Sequence, residues 1–270
     1  MAIVTGAGST PGPGIGTGKA AAVIMAREGA SVLLVDLYPE RAEETKAMTA
    51  AEGGVAEVFA GDVTQAGVCE RMVAAAVERF GGLDILVNNL GLASRGTVVD
   101  TTEEAWDRAL DINLRTAFLA SKYAVPALVE RGGGAIVHVS SINAYRGSDT
   151  IAYSAAKGAL LGMTFDMAYS HGRQGIRVNA VVPGHIMTPM VASVMGAGPQ
   201  TDFMNALRTE ASLLGTTGTG WDVGYAVSFL ASEESRWITG VALPVDAGVL
   251  CALPLMLANR LRGVADPRPR

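Results

Sequence analysis

The feature that most constrains the fold of this chain is a regular alternation of short β-branched runs with longer segments of helical periodicity. The first unit consists of the strand candidate Ile3-Val4, a glycine-rich turn and a helix candidate at residues 19–28. Strand, helix and strand in this order indicate a parallel sheet whose crossover helices cover both faces, so we predict an α/β fold with a doubly wound sheet of about seven strands. The remaining strand candidates are 31–36, 55–60, 83–88, 135–140, 177–182 and 241–245, and the remaining helix candidates are 40–52, 67–80, 103–129, 153–171 and 222–231.

Composition favours one large domain. Hydrophobic residues make up 49% of the 270 residues, and the mean hydropathy is +0.30, which suits a parallel sheet buried on both faces. The net charge is −5 and no basic run occurs, so a small molecule is a better candidate partner than nucleic acid.

The number of cysteines and the sequence near both ends of the chain indicate whether a metal site or a membrane segment is to be expected. Cys69 and Cys251 are too few for a disulfide framework or a structural zinc site, so we predict no metal. The first six residues contain no basic region, and the apolar run 249–258 contains Pro254 and is shorter than the roughly 20 residues a span needs. We expect a cytoplasmic protein without a signal peptide or membrane segment.

The loop after the first strand candidate carries six glycines in the thirteen residues from Gly6 to Gly18. Glycines there let backbone N–H groups and a helix N-terminus approach a pyrophosphate, because both favour an anion. A turn of this kind between the first strand and the first helix predicts a Rossmann-like dinucleotide site. A flexible turn without a ligand is the alternative.

Acidic and amide residues end the next strands. Asp36 lies 18 residues after Gly18, where a carboxylate can bind the ribose hydroxyls of NAD and would repel the 2′-phosphate of NADP. No Arg or Lys lies in the glycine-rich loop or directly after Asp36, so we predict NAD as the cofactor. Further candidates at strand ends are Asp62 with Val63 near the adenine, and Asn88, Asn89 and Gly91 along the adenosine half.

A possible proton-transfer pair lies on the helix candidate 153–171. Tyr153 and Lys157 are four residues apart and share a helix face. A nearby positive charge favours phenolate and lowers the tyrosine pKa from its ordinary value near ~10. Because Tyr-x-x-x-Lys also occurs by accident on helices, a catalytic interpretation of the pair depends on the other motifs in the chain.

These motifs together resemble the short-chain dehydrogenase/reductase family over roughly residues 2 to 248. The family pattern contains a T-G-x-x-x-G-x-G loop, N-N-x-G, an Asn in the fourth helix, a Ser, Tyr-x-x-x-Lys and a Pro-Gly turn. The matching positions are the loop 5–18, the segment 88–91, Asn113, Ser140 thirteen residues before Tyr153, Lys157, and Pro183 with Gly184.

The resemblance implies an NAD-dependent oxidoreductase that interconverts a secondary alcohol and a ketone by hydride transfer. Tyr153 would be the general acid/base, and Ser140 would hold the substrate oxygen. Lys157 would lower the Tyr153 pKa and bind the nicotinamide ribose, and Asn113 would hold a water that connects Lys157 to solvent. The remaining cofactor contacts implied are Gly6, Gly14, Ile15, Gly16, Gly18, Asp36, Asp62, Val63, Asn89, Gly91, Pro183, Gly184, Ile186 and Thr188.

The glycine-rich loop departs from the family pattern because it is longer. Its terminal G-x-G can be Gly16-Thr17-Gly18, which we prefer, or Gly14-Ile15-Gly16. Leu90 stands where the family more often has Ala. We expect this difference to alter local packing and to leave the identity of the cofactor unchanged.

Two other functions remain open. The long loop is similar to that of enoyl reductases of the same superfamily, although those enzymes space their Tyr and Lys more widely than Tyr153 and Lys157. A non-catalytic NAD-binding sensor is the second alternative, and it has no need for the complete set of catalytic residues.

Substrate selection is expected in residues 91–97, 143–150 and 189–215, the last being a mobile lid rich in Met or a subunit contact. Exposed Arg95 and Arg146 are ordinary surface residues on this interpretation, and His185 is a polar wall residue. We assign residues 1–248 to one catalytic domain and 249–270 to a C-terminal tail whose first half packs on a neighbouring subunit. The long apolar helices 103–129 and 153–171 indicate a homo-oligomer, which the family resemblance makes a tetramer.

Overall fold

The computed structural model describes residues 1–252. The strands of its main sheet are β1 (Ala2–Thr5), β2 (Ser31–Asp36), β3 (Val55–Ala60), β4 (Ile85–Asn88), β5 (Gly134–Val139), β6 (Ile176–Pro183) and β9 (Ala242–Val245). These seven strands lie in the order β3-β2-β1-β4-β5-β6-β9, and all neighbouring strands are parallel. This confirms the predicted doubly wound parallel sheet.

Helices cover both faces of this sheet, and each face has its own apolar core. On one face lie α1 (Thr17–Arg27), α2 (Pro39–Ala51) and α9 (Gly220–Ala231). On the other lie α3 (Ala66–Phe80), α5 (Thr116–Glu130) and α6 (Ile151–His171). Because the central strands are buried on both sides, they consist of nearly continuous apolar runs rather than alternating ones.

The predicted helix 103–129 consists of three segments. It begins with α4 (Glu103–Leu110), passes through a π-helical turn at Asp111–Arg115 and continues as α5. The π turn contains Asn113, whose side chain donates to the carbonyl oxygen of Ala109 at 2.8 Å. Apolar periodicity does not reveal a local change from α to π hydrogen bonding, and π turns are frequent at functional sites.

The segment predicted as a lid contains two helices. These are α7 (Pro189–Met195) and α8 (Pro199–Ala211), each with a proline in its first turn. They are flanked by a short parallel pair that the sequence analysis did not predict, β7 (Ile186–Met187) and β8 (Gly218–Thr219). The single-domain assignment and the lid function stay predictions.

The predicted tail lies mostly outside the described residues. Its first residues follow Asp246, whose carboxylate accepts from the backbone nitrogens of Gly248 at 2.9 Å and Leu250 at 2.7 Å. No helix within residues 1–252 is long and apolar enough to cross a membrane.

Candidate active site

A cleft with a volume of about 460 Å³ opens at the carboxyl ends of the strands. Loops that follow β1, β2, β4, β5 and β6 form its walls, as expected for a doubly wound sheet. The cleft brings together most of the predicted site residues: Gly6, Gly16, Gly18, Asp36, Asn89, Gly91, Ser140, Tyr153, Lys157, Pro183, Gly184, Ile186 and Thr188. Gly14, Ile15, Asp62, Val63 and Asn113 do not line it.

The glycine-rich turn selects between the two possible registers. Helix α1 begins at Thr17, with Gly16 as its N-cap residue. A Cβ atom on Gly18 would overlap the carbonyl oxygen of Gly6 and the Nδ2 atom of Asn89. Close approach of this kind favours Gly16-Thr17-Gly18 as the terminal G-x-G, and all three of these residues line the cleft at the N-terminus of α1.

In this register Gly14 and Ile15 belong to the inserted part of the loop, and their predicted place in the cofactor site stays a prediction. Gly14 is exposed and Ile15 is buried, and both lie off the cleft. A Cβ atom on Gly12 would lie 3.5 Å from Cβ of Pro189, and one on Gly14 would lie 3.7 Å from the carbonyl oxygen of Met187. The insertion thus lies against the start of α7.

Asn89 ties the glycine turn to the loop after β4. Its Nδ2 atom donates to the carbonyl oxygens of Thr5 at 3.2 Å and Gly6 at 3.0 Å. Its Oδ1 atom accepts from the hydroxyl of Thr17. These bonds fix the backbone path on which a close approach to phosphate depends.

At the end of β2, the carboxylate of Asp36 lines the cleft. It accepts from the backbone nitrogens of Gly8 at 2.9 Å and Tyr38 at 3.0 Å, which fixes its orientation. Arg41 also lines this end, with its guanidinium 3.9 Å from the ring centroid of Tyr38. Arg41 was not predicted as a site residue, because it does not lie directly after Asp36 in the sequence; the first turn of α2 brings it back to the cleft.

Asp62 and Val63 lie beside the cleft rather than in its wall. Oδ1 of Asp62 accepts from the backbone nitrogen of Thr64 at 3.0 Å and from its hydroxyl at 2.7 Å. Val63 is buried in the core beneath α3. Their predicted contact with adenine stays a prediction.

Lys157 is buried, with 2% of its surface exposed. Its ammonium donates to the carbonyl oxygens of Leu90 at 3.1 Å and Val139 at 2.8 Å. Nζ lies 5.7 Å from the ring centroid of Tyr153, so α6 does place the pair on one face. Burial lowers the pKa of Lys157 to about 7, because the charged form loses its hydration.

Burial raises the pKa of Tyr153, because phenolate is poorly solvated in the protein. A hydrogen bond from the hydroxyl of Ser141 acts in the opposite direction. The net direction differs from the sequence expectation that Lys157 lowers this pKa. Desolvation outweighs the neighbouring groups, and the ammonium is directed at two carbonyl oxygens.

The two serines at the end of β5 have different partners. Ser140 is 3% exposed and donates its hydroxyl hydrogen to the carbonyl oxygen of Lys157 at 2.8 Å. Ser141 accepts from the backbone nitrogen of Asn143 at 3.2 Å, which leaves its hydroxyl hydrogen for Tyr153. Both line the cleft, and the hydroxyl of Ser140 is already bonded to the backbone while that of Ser141 is directed to Tyr153. The predicted role of Ser140 in holding the substrate oxygen stays a prediction, and Ser141 is a second candidate for it.

Asn113 lies behind the cleft wall. Its Oδ1 atom accepts from the backbone nitrogen of Leu92 at 2.9 Å, and its Nδ2 atom donates to the carbonyl oxygen of Leu92 at 3.0 Å. A Cβ atom on Gly91 would lie 3.6 Å from Oδ1 of Asn113 and 3.5 Å from Nζ of Lys157. Asn113 therefore holds the loop that covers Lys157, and its role in holding a water stays a prediction.

A buried polar cluster lies beneath the cleft. Nδ2 of Asn88 lies 3.1 Å from the hydroxyl of Ser121 and 3.1 Å from Nδ1 of His138. Burial, assisted by the charge of Lys157, lowers the pKa of His138 to about 3. His138 is therefore neutral at pH 7 and belongs to the buried support of the cleft.

All three segments expected to select the substrate contribute to the other end of the cleft. Residues from them that line it are Ala93, Asn143, Thr150, Met190, Val191 and Arg208, with His185 beside them. The first two segments are joined, because the backbone nitrogen of Gly96 donates to the carbonyl oxygen of Asp149 at 2.8 Å.

A doubly wound parallel sheet with a glycine turn at the N-terminus of its first helix defines the Rossmann-like class of α/β proteins. Comparison with known proteins narrows this class. A family model described as Enoyl-(Acyl carrier protein) reductase matches residues 12–250. The chain belongs to the short-chain dehydrogenase/reductase family, whose members are oxidoreductases that generally bind NAD or NADP.

Curated relatives cover nearly the whole chain. The chain is 40% identical over 240 residues to 2-(S)-hydroxypropyl-CoM dehydrogenase 3 of Xanthobacter autotrophicus, covering 88% of this chain and 94% of that protein. It is 34% identical over 250 residues to cyclohexanol dehydrogenase of an Acinetobacter species, covering 91% and 93%.

A solved structure supports the same family assignment. A crystal structure described as a short-chain dehydrogenase/reductase from Burkholderia xenovorans superposes with a TM-score of 0.90 at 39% identity. The match covers 93% of this chain and 97% of that one.

Proposed function

We propose that the chain is an NAD-dependent alcohol dehydrogenase or carbonyl reductase that interconverts a secondary alcohol and a ketone. One observation carries the proposal: Tyr153 lies in the cleft wall, with the ammonium of buried Lys157 5.7 Å from its ring centroid and the hydroxyl of Ser141 as a hydrogen-bond partner of its phenol. The relatives named as dehydrogenases of hydroxypropyl-CoM and of cyclohexanol support it. So does a 33% identical levodione reductase of Leifsonia aquatica, of which 93% is covered.

The cleft fits a dinucleotide. Gly18 lies so close to Gly6 that no side chain could be accommodated, which leaves backbone N–H groups for the phosphates. Asp36 would bind the adenosine ribose, and NAD would supply the hydride acceptor or donor. The other residues proposed to hold it are Gly16, Asn89, Gly91, Tyr153, Lys157, Pro183, Gly184, Ile186 and Thr188, with Asp62 and Val63 near the adenine.

In ketone reduction, Tyr153 donates a proton to the carbonyl oxygen, and in alcohol oxidation it takes the hydroxyl proton. Ser141 donates a hydrogen bond to the same oxygen and shares its developing charge. Lys157 binds the nicotinamide ribose and, when charged, favours the phenolate of Tyr153. Asn113 holds the loop above Lys157 and positions the water through which protons reach solvent.

The preference for NAD rests on the charge of Asp36. Both of its oxygens accept backbone N–H bonds, so the carboxylate cannot swing away from a 2′-phosphate. Arg41 is the opposing influence, since a guanidinium at the same end could pair with that phosphate. We place NAD first because the carboxylate occupies the end of β2 itself.

Reduction of an enoyl thioester is the second candidate, favoured by the description of the matching family model. The spacing of four residues between Tyr153 and Lys157 argues for carbonyl chemistry instead. A non-catalytic sensor is the third, and the completeness of the buried site argues against it.

The purified chain separates these functions when the absorbance of NADH is followed with different substrates. We expect turnover of secondary alcohols with NAD and of the matching ketones with NADH, and none of a crotonyl thioester. Turnover of the thioester alone would establish an enoyl reductase. Binding of NAD without any turnover would establish a sensor.

We also propose that the chain forms a homo-oligomer, a tetramer in the first instance. Large aromatic side chains lie exposed on the outer helices, with Phe118 on α5 53% exposed, and Phe165 and Tyr169 on α6 48% and 88% exposed. Exposed aromatic clusters on helix faces are typical of subunit contacts.

A further inference from the structure

An arginine at the substrate end of the cleft has no acidic partner within residues 1–252. Arg208, on α8, donates from Nη2 to the carbonyl oxygen of Ile186 at 3.0 Å and from Nη1 to Sδ of Met195 at 2.9 Å. Its Nε atom is buried and lacks a hydrogen-bond partner among residues 1–252. Across the same residues no carboxylate lies within ion-pair distance of it.

Such a charge is costly in the free protein. Arg208 is partly buried, and removing a cation from water is unfavourable unless an anion or a full set of acceptors replaces the lost hydration. Burial lowers the pKa of Arg208, but the guanidinium ordinarily titrates so far above neutrality that it stays charged. A carbonyl oxygen and a thioether accept hydrogen bonds without neutralising the charge. The cleft wall therefore carries a net positive site.

A histidine lies beside this charge. His185 lines the cleft, and its Nδ1 atom is buried without a partner in the described part of the chain. Burial, and next the charge of Arg208, lower the pKa of His185, whereas a hydrogen bond to the backbone of Arg208 and the charge of Asp246 act in the opposite direction. The oxygens of Asp246 accept from the backbone nitrogens of Gly248 and Leu250. Arg208 therefore supplies the positive charge of this site, and His185 is its polar neighbour.

We propose that Arg208 binds an anionic group, a carboxylate or similar oxyanion, at the end of the substrate remote from its reacting oxygen. The proposal rests on the proposed alcohol or ketone chemistry. A guanidinium presents a planar fork that matches an oxyanion in bidentate fashion.

The position of Arg208 favours substrate over cofactor as the source of the anion. It lies beside His185 and Met190, next to the turn proposed to hold the nicotinamide, whereas the phosphates would lie at the N-terminus of α1. Arg95 and Arg146 are exposed, and an exposed guanidinium has no comparable need of a partner.

The test uses hydroxy acids and their primary amides, which are nearly isosteric but differ in charge. The pairs are built on 3-hydroxybutanoate, 4-hydroxypentanoate and 5-hydroxyhexanoate, so that chain length is varied. The wild-type protein is compared with Arg208→Gln, Arg208→Lys and the exposed control Arg95→Gln. The quantity measured is the ratio of kcat/KM for acid and amide at saturating NAD.

We expect the wild type to prefer the acid by about tenfold or more at one chain length, mainly through KM. Arg208→Gln should abolish this preference, Arg208→Lys should keep part of it, and Arg95→Gln should keep all of it. A purely packing role for Arg208 would change both substrates equally and leave the ratio unchanged, which would overturn the proposal. So would a wild-type ratio near one at every chain length.

Two further results separate the alternatives. A rise in the KM of NAD in Arg208→Gln as large as that for the acid would make Arg208 a cofactor contact and overturn the proposal. If the wild type turns over neither acids nor amides, the proposed function fails, and calorimetric titration with 5-oxohexanoate and its amide decides this inference alone. Selective binding of the acid by the wild type, lost in Arg208→Gln, supports it, and equal binding of acid and amide refutes it.

Discussion

Burial acts in opposite senses on the two titrating residues of the site. It raises the pKa of Tyr153 and lowers that of Lys157 to about 7, so both shifts favour the uncharged forms. A protonated phenol is the form needed to donate a proton to a ketone. Alcohol oxidation needs the phenolate instead, so its rate should rise with pH.

Ser141 and Ser140 can be separated by alanine substitutions. Ser141→Ala should lower kcat about 100-fold, because it removes a donor to the developing charge on the substrate oxygen. The Ser141 hydrogen bond stabilises phenolate and lowers the Tyr153 pKa, so its loss raises that pKa. The pH profile of oxidation should therefore move to higher pH.

Ser140→Ala is the matched control. It removes the bond to the carbonyl oxygen of Lys157, which should cost about 1 kcal/mol in the free energy of unfolding and leave the pH profile in place. Steady-state kinetics across pH and denaturant unfolding measure both effects. A shifted profile in Ser140→Ala, with none in Ser141→Ala, would return the role to Ser140.

Asp36→Asn should change cofactor preference. The amide keeps an acceptor for one backbone N–H but removes the charge that repels a 2′-phosphate, while Arg41 remains nearby. We expect the ratio of kcat/KM for NADP and NAD to rise about tenfold or more. If wild type already prefers NADP, Arg41 rather than Asp36 decides the preference.

At the residue scale, sequence spacing predicted a set of residues most of which line the cleft. It could not predict the direction in which each serine hydroxyl points. Ser140 has the spacing of thirteen residues from Tyr153 that the family usually shows, yet its hydroxyl is bonded to the backbone of Lys157. Neighbouring residues at a strand end point to opposite sides, and only the backbone decides which side faces the cleft. Arg41 and Arg208 were missed because α2 and α8 bring them to the cleft from a distance in sequence.

At the scale of elements, the junction of β1, α1 and the loop after β4 determines whether a dinucleotide can bind. Gly18 is the second residue of α1, and Gly67 is the second residue of α3. A Cβ atom on Gly18 would overlap Gly6 and Asn89, whereas one on Gly67 would meet only the flexible end of Arg71 at 3.5 Å. The two helix starts thus offer a matched comparison.

Gly18→Ala should weaken NAD binding at least about tenfold and lower the unfolding free energy by about 1–3 kcal/mol, because the turn must open to admit the methyl group. Gly67→Ala should leave NAD binding unchanged and raise helix stability by up to about 1 kcal/mol. Titration of NAD binding, together with unfolding curves, provides the measurement. Equal NAD affinity in Gly18→Ala and wild type would refute the assigned register.

Element boundaries were predicted best where the cause is local. Strands β2 and β3 match their predicted bounds, because each is an apolar run ended by turn residues. The π turn at Asp111–Arg115 was not predictable, since it depends on the side chain of Asn113 bonding to a distant loop. The contact of the insertion with Pro189 is likewise tertiary.

At the scale of the whole molecule, the exposed aromatic residues on α5 and α6 should be buried between subunits. The double variant Phe165→Glu, Tyr169→Glu places charges on this surface and should give a smaller assembly by light scattering. Val99→Glu is a control, since Val99 is 88% exposed outside these helices. An unchanged mass in the double variant would place the subunit contact elsewhere, and a monomeric wild type would refute the oligomer.

The fold was predictable because the alternation of strands and helices, together with the right-handed crossover rule, leaves few ways to arrange seven parallel strands. The carboxyl ends of the strands then bring together residues as distant in sequence as Gly6 and Thr188. The identity of the substrate could not be predicted, because its end of the cleft is built from loops and from α7 and α8, whose positions depend on tertiary contacts.

The most direct test of the central claim is the kcat for oxidation of a secondary alcohol by Tyr153→Phe, compared with wild type at saturating NAD. Phenylalanine keeps the ring and removes only the group proposed to take the proton. We predict a loss of about 100-fold or more with NAD affinity retained. Turnover at the wild-type rate in Tyr153→Phe would contradict the account.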